Sequence, residues 1–489
     1  MSKPSPLNLT QIFLFGGLLL VCLAAGIATA NLNLSLETAL IVSTAIVVAI
    51  PIVLRVVSGK FDPFEPIAVF SVIYALMFVA RPLYFDSTGE TLFKIGSETV
   101  DFGPYVVEMQ VAALIGAIAF VVGYEVVTRS AQKPRPRLTS ISSISLKQGG
   151  LVLCALGLVG TFFYLRAFPG GYSALAQGRS DQYHEISTQM NSYFYYFPDL
   201  LLPGAFIMLL VWLRTKDTWP LLVAVGSALI LFAIRLPVGS RLGLLPLFGT
   251  PFVFWYLYRN KRPGIVGLAT VVLVLAIGWS LVLQNRYQST GLEQTSYVGS
   301  LKSIVEDPGQ LLDPVTKDQD VAMAPGFASA MSVVPSELPF RYGLGMTEDL
   351  ITRGVPRQFW AGKPLAPREK VISELWPKGY KKSISNPEFS ILFHFYYDGW
   401  YVGVMLGMFL LGLLFRAIRD LALSRPVDPL YLVAYALVLC NMPMILRDSV
   451  TDSVLRLSFS LLPLLIVGWW ASRRFKTSNR SLATYPKSP

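Results

Sequence analysis

The sequence predicts an all-α polytopic membrane protein, a bundle of twelve transmembrane helices interrupted by one long polar loop. Three observations lead there. Of 489 residues, 53% are hydrophobic and only 15% are charged, where a soluble chain carries about a quarter. Apolar runs of roughly 17–25 residues, long enough to cross a bilayer, recur along a chain whose mean hydropathy is +0.53. The short loops on one side of these runs are basic, and those on the other are not.

The runs fall near 11–30, 38–57, 66–84, 107–127, 147–167, 199–213, 218–236, 241–258, 264–283, 391–415, 429–446 and 454–471. Ala28-Thr29-Ala30 after the first run resembles a signal-peptide cleavage site, but the run is long for that, so an uncleaved helix is expected. With the N-terminus inside, the inner loops hold Arg55 and Lys60, then Arg129 to Arg137, Arg214 and Lys216, Arg259 to Arg262, and Arg416 to Arg425. The C-terminal tail adds Arg473, Arg474, Lys476 and Arg480, which puts both termini in the cytoplasm by the positive-inside rule. The chain thus divides into a bundle over 1–283 with a short outer loop at 166–199, a long outer loop with short helices over 284–390, and the last three helices and tail over 391–489.

Composition excludes several functions. Cys22, Cys154 and Cys440 all lie inside apolar runs, and no Cys/His ligand set accompanies them, so neither disulfides nor zinc are expected. The net charge of +11 sits in membrane-flanking loops, where anionic lipid rather than nucleic acid is its partner. Glu306-Asp307 and Asp313 read as a solvated loop, no P-loop or nicotinamide fingerprint is present, and no metal or cofactor is expected. The absence of an internal repeat argues against a transporter.

One set of residues breaks the charge rule. Arg81, Arg166, Arg179, Arg235, Arg241, Arg286, Arg447 and Arg456 lie at or near outer helix ends. An arginine in the apolar zone costs about 2.5–3.5 kcal/mol on insertion scales. Any one of them is equally read as snorkelling to headgroups or pairing with an acid. Eight on one face suggest an anionic ligand, because guanidinium pairs bidentately with phosphate oxygens.

Two outer turns concentrate these groups. Arg235-Leu-Pro-Val-Gly-Ser-Arg241 is a tight hairpin in which Gly239 permits close backbone approach. In Arg447-Asp-Ser-Val-Thr-Asp-Ser-Val-Leu-Arg456, continuous helix would put Asp448, Asp452 and Arg456 on one face, with Asp452 supporting Arg456. The chain's two histidines, His184 and His394, also fall on the outer side, and His394 sits among aromatics where the long loop re-enters the membrane.

The heart of the long loop, Val355-Pro-Arg357-Gln-Phe-Trp360-Ala-Gly-Lys363-Pro364, resembles a Pro-Arg-x-x-Trp-x-x-Lys-Pro stretch of the bacterial O-antigen (oligosaccharide repeat-unit) polymerases, the Wzy type. Asp62-Pro-Phe-Glu-Pro66, Arg81-Pro82, Gly178-Arg179, Gly239-Ser-Arg241, Asn285-Arg286-Tyr287 and Arg447-Asp448 to Arg456 resemble that family's segments in the same order, over about 60–460. The resemblance implies a GT-C-like bundle in the bacterial inner membrane, serving lipopolysaccharide or related polysaccharide biosynthesis. It implies transfer of a glycan from one undecaprenyl pyrophosphate to the repeat unit on another, at the periplasmic face and without metal. Chain-length regulators are candidate partners. On this reading Arg241, Arg286, Arg447 and Arg456 contact the pyrophosphate or donor, Arg179 and Arg357 follow, and Arg235, Arg81 and Lys363 complete the set. His394 is the candidate base and Asp448 the alternative. An O-antigen ligase-like transferase and, further off, a polysaccharide transporter or flippase are the competing readings.

Overall fold

The computed structural model describes residues 35–95, 97–126, 142–166, 171–172, 196–235, 241–264, 297–307, 322–353, 362–381, 387–423 and 429–483, with isolated positions at 266–268, 270, 273, 277, 278, 280, 309, 355, 359 and 360. The chain is an all-α, multi-pass membrane protein: among the described residues, nine helices are long and apolar enough to cross a bilayer. They coincide with nine of the twelve expected spans. The tenth, Gly243–Tyr258, is a shorter apolar helix, within a helix carrying Pro246 and Pro251. The expected span at 11–30, and most of that at 264–283, lie outside the described residues.

Helix α1 covers Leu36–Val57, capped by Ser35, whose Oγ accepts from the Thr38 amide at 3.1 Å. Helix α2, Pro66–Thr88, starts with proline at its first position and stops at Gly89, which takes the left-handed conformation (φ 68°). Its residues Leu76–Ala80 form a π-turn, and Arg81, the next residue, is buried. A two-stranded hairpin follows, β1 (Leu92–Ile95) and β2 (Glu98–Asp101), with Phe93 paired to Val100. Phe93 packs edge-on against Trp376 at 5.6 Å, so the hairpin is anchored on the long loop.

Helices α3 (Val106–Val126), α4 (Ser143–Arg166), α5 (Leu201–Thr215), α6 (Thr218–Arg235) and α7 (Arg241–Tyr258) continue the bundle. The described parts of the long loop contain α8 (Tyr297–Glu306), α9 (Met323–Met331), α10 (Leu344–Arg353), α11 (Pro367–Leu375) and α12 (Pro377–Lys381). The chain closes with α13 (Ser390–Leu423), α14 (Pro429–Arg447) and α15 (Val450–Ala483). Every residue of α9 is buried, so this part of the loop is packed into the protein rather than solvated.

Helix α13 is not one rod. Gly399 and Trp400 leave helical geometry, Trp400 at φ 55°, and split it into 390–398 and 401–423. A Cβ on Gly403 would collide with the Phe395 carbonyl, and one on Gly407 with the Phe395 ring. Residues eight apart in a straight helix are about 12 Å apart, so the chain folds back and the two pieces pack against each other. The expected span at 391–415 is corrected accordingly: its first turns are a short helix folded back against the crossing segment, 401–423. That segment packs on α3 through glycines, since a Cβ at Gly123 would strike the Phe409 carbonyl and one at Gly412 the Phe120 carbonyl. Without a hydrophobic driving force between helices in lipid, such close backbone approach is how packing energy is gained.

One end of the bundle is tied by a buried charge network. Glu65 accepts from Arg55 at 2.7 Å and from the Tyr124 hydroxyl at 3.1 Å, and Arg419 stands 3.3 Å away. Arg55 also bonds Glu125 at 2.6 Å, and Asp62 pairs with Arg262 at 2.7 Å. Burial works to raise the Glu65 pKa, but these partners outweigh it and hold the carboxyl below its ordinary value. The Asp62-Pro-Phe-Glu-Pro66 segment is therefore a hub joining α1, α2, α3 and α13.

Candidate active site

At the opposite end, α14 and α15 meet in a two-residue turn, Asp448-Ser449. Ser449 caps α15: its Oγ accepts from the Asp452 amide at 3.0 Å and stands 2.8 Å from the Asp452 carboxylate. The segment is thus a turn between two helices rather than one continuous helix. The helix breaks before Val450, and Arg456 reaches back across the turn to Asp448 at 3.2 Å, eight residues away. Arg447 approaches the other Asp448 oxygen at 3.7 Å. The Asp448 carboxylate, 7% exposed, thus gathers two of the predicted arginines from two helices.

The loop preceding α13 supplies a second acid to this cluster. Glu388 pairs through Oε1 with Arg368 of α11 at 2.6 Å, and Arg368 also donates to the Pro387 carbonyl at 3.2 Å. The other carboxylate oxygen, Oε2, is buried and has no hydrogen-bond partner among the described residues. Burial pushes the Glu388 carboxyl up to about 7; Arg368 opposes this, Asp448 adds to it, Arg447 opposes and Asp452 adds. Glu388 was not among the residues singled out in the sequence. Its only signal there was an acid placed directly after proline at the head of an apolar run.

The remaining predicted residues divide by location. Arg235 is buried and forms an ion pair with Asp199, joining the end of α6 to the start of α5. Arg81 is buried with its guanidinium 4.8 Å from the Phe85 ring centre. Lys363 bonds within its own loop, donating to the Val355 carbonyl at 3.1 Å, while Phe359 and Trp360 beside it are exposed. Arg166 is exposed at the end of α4. Arg241 begins α7, but its side chain, and all of Arg179, Arg286, Arg357 and His184, lie outside the described residues.

His394 sits in the folded-back segment 390–398, every residue of which is buried. Its ring meets Phe393 edge-on at 5.2 Å. Asp398 closes this segment and locks it to the loop. Its two oxygens accept from the Gly345 and Met346 amides at 2.9 and 2.8 Å, at the first turn of α10, while its carbonyl accepts from the Gly343 amide at 2.9 Å. A carboxylate at a helix N-terminus satisfies amides that have no intrahelical partner.

Among the described residues no group of three or more His, Cys, Asp or Glu side chains is arranged to hold a metal ion. No protein-family model, curated protein or solved structure matches the chain.

Proposed function

We propose that the protein is a glycosyltransferase of the inner membrane, polymerising polyprenyl-pyrophosphate-linked oligosaccharide repeat units at the periplasmic face. The observation that carries this reading is the convergence of Arg447 and Arg456 on Asp448, at the end of the bundle opposite the basic loops. A carboxylate shared between two guanidinium groups orients them, and the planar guanidinium fork matches phosphate oxygens. Leaving pyrophosphate carries developing negative charge, which preorganised arginines stabilise without reorganisation at the moment of reaction.

In this reading the bundle is GT-C-like and has twelve spans, with Arg241, Arg286, Arg179 and Arg357 adding contacts to donor and glycan. On the same reading the buried α9 and the folded-back segment 390–398 lie beneath the sugars and hold them out of bulk water. The acceptor hydroxyl needs a proton acceptor, for which His394 and Asp448 are the candidates from sequence.

The test is the surface-glycan profile of a deletion strain. Collapse of a chain-length ladder to one repeat unit supports a polymerase. Full-length glycan stranded on its lipid carrier assigns the protein to ligase-like transfer instead, and an unchanged profile overturns the reading.

A further inference from the structure

The proton acceptor in such a transfer must have a free lone pair facing the acceptor sugar, and it must be held still. Asp448 is held still, but each of its two oxygens already faces a guanidinium group, Arg456 or Arg447. Glu388 meets both. Arg368 holds Oε1 at 2.6 Å, which fixes the carboxylate in place, and leaves Oε2 buried with no hydrogen-bond partner among the described residues. The Pro387 carbonyl, gripped by the same arginine, fixes the backbone from which Glu388 projects. A buried carboxylate oxygen without a donor is costly unless a ligand completes it.

We propose that Glu388 takes the proton from the acceptor hydroxyl, an inference that rests on the transferase reading above. In the step, the acceptor O–H bond breaks and its proton passes to Glu388 Oε2. The freed oxygen forms the new bond to the anomeric carbon of the donor. The anomeric C–O bond to pyrophosphate breaks, and its electron pair leaves with the polyprenyl pyrophosphate, beside Arg447 and Arg456. Glu388 then loses its proton to solvent.

The charged groups around Glu388 fit this cycle. Arg368 from α11 and Arg447 from α14 favour the carboxylate, while Asp448 and Asp452 at the α14–α15 turn disfavour it. With the carboxyl raised to about 7, the base form gains population as pH rises through that value. General-base assistance of this kind contributes roughly 10²–10⁴-fold.

The experiment complements a deletion strain with wild-type, Glu388→Gln and Glu388→Asp full-length protein. Glycan extension is followed in spheroplasts, whose outer membrane face meets buffer of set pH. Binding is followed separately, as the thermal shift of purified protein with undecaprenyl pyrophosphate. Glu388→Gln is expected to lose about 100-fold or more of extension, to keep the thermal shift, and to lose the rise in rate near pH 7 from whatever activity remains. Glu388→Asp, charged but shorter, is expected to be slowed at least about tenfold while keeping a pH-dependent rise. It carries the test if the glutamine variant does not fold. A folded variant of either kind with wild-type extension overturns the role of Glu388 alone. Wild-type protein that extends nothing overturns the transferase reading and, with it, this inference.

Discussion

Arg456 donates to the Asp448 carboxylate at 3.2 Å across the turn between the last two helices, and Arg447 approaches the same carboxylate from the other side. The pairing joins two separate helix ends into one charged face. If that face holds pyrophosphate, Arg447→Ala and Arg241→Ala abolish chain extension and leave membrane insertion intact. Lysine at 456 is no substitute, because a point charge lacks the planar fork. Gel profiles of surface glycan from complemented strains, with immunoblots of membrane fractions, check both statements. Long chains made by Arg447→Ala would show that the clamp is assigned to the wrong residues.

The two candidate bases separate by pH. With Glu388 as proton acceptor, His394→Ala retains the rise in extension rate near pH 7, because the titrating carboxyl is untouched. With His394 as the base, that variant loses the rise and at least about 100-fold of rate. Rate against pH in spheroplasts distinguishes them.

Glu65 makes a prediction about stability rather than chemistry. Its carboxylate is 5% exposed and shared by Arg55, Arg419 and Tyr124. Glu65→Gln removes the charge shared by Arg55 and Arg419, which keep Glu125 and Asp420 as partners, a change that costs about 1.5–3 kcal/mol. The depressed carboxyl adds stability above its ordinary value of 4.5, and that contribution is lost as pH falls from there through the lower folded value. Thermal unfolding of detergent-solubilised protein should show a lower midpoint for the variant. It should also show a smaller acid-induced drop than in wild type.

Asp398 predicts a local effect. Replacing it with Ala removes both acceptors for the first-turn amides of α10, at a cost of about 0.5–2 kcal/mol. Limited proteolysis should then cut near 341–353 faster than in wild type, with the rest of the bundle equally protected.

Gly403→Val tests the folded-back arrangement. The added side chain would meet the Phe395 carbonyl, so segment 390–398 has to move away from 401–423. Overpacking costs about 1–3 kcal/mol or more where backbone is struck. The variant should insert normally yet lose extension, because both His394 and the chain leading from Glu388 are displaced. Normal extension by a stable Gly403→Val protein would contradict the hairpin.

The sequence by itself determined the class of protein and the placement of most of its helices, because a span is a local property: about twenty apolar residues satisfy their own backbone within one segment. It also marked Arg447, Asp448 and Arg456 as a group, since they stand close together in the chain. Tertiary structure decided what no local pattern carries. The run beginning at Ser390 is apolar apart from His394 and Asp398, so its hydropathy did not separate a folded-back helix from a membrane crossing. The break at Gly399-Trp400 depends on Asp398 capping a helix that begins more than fifty residues earlier. Glu388 gained its unusual surroundings from Arg368, Arg447, Asp448 and Asp452, which lie on three other parts of the chain. Burial and charge at such a point are sums over neighbours in space, and only the folded chain supplies those neighbours.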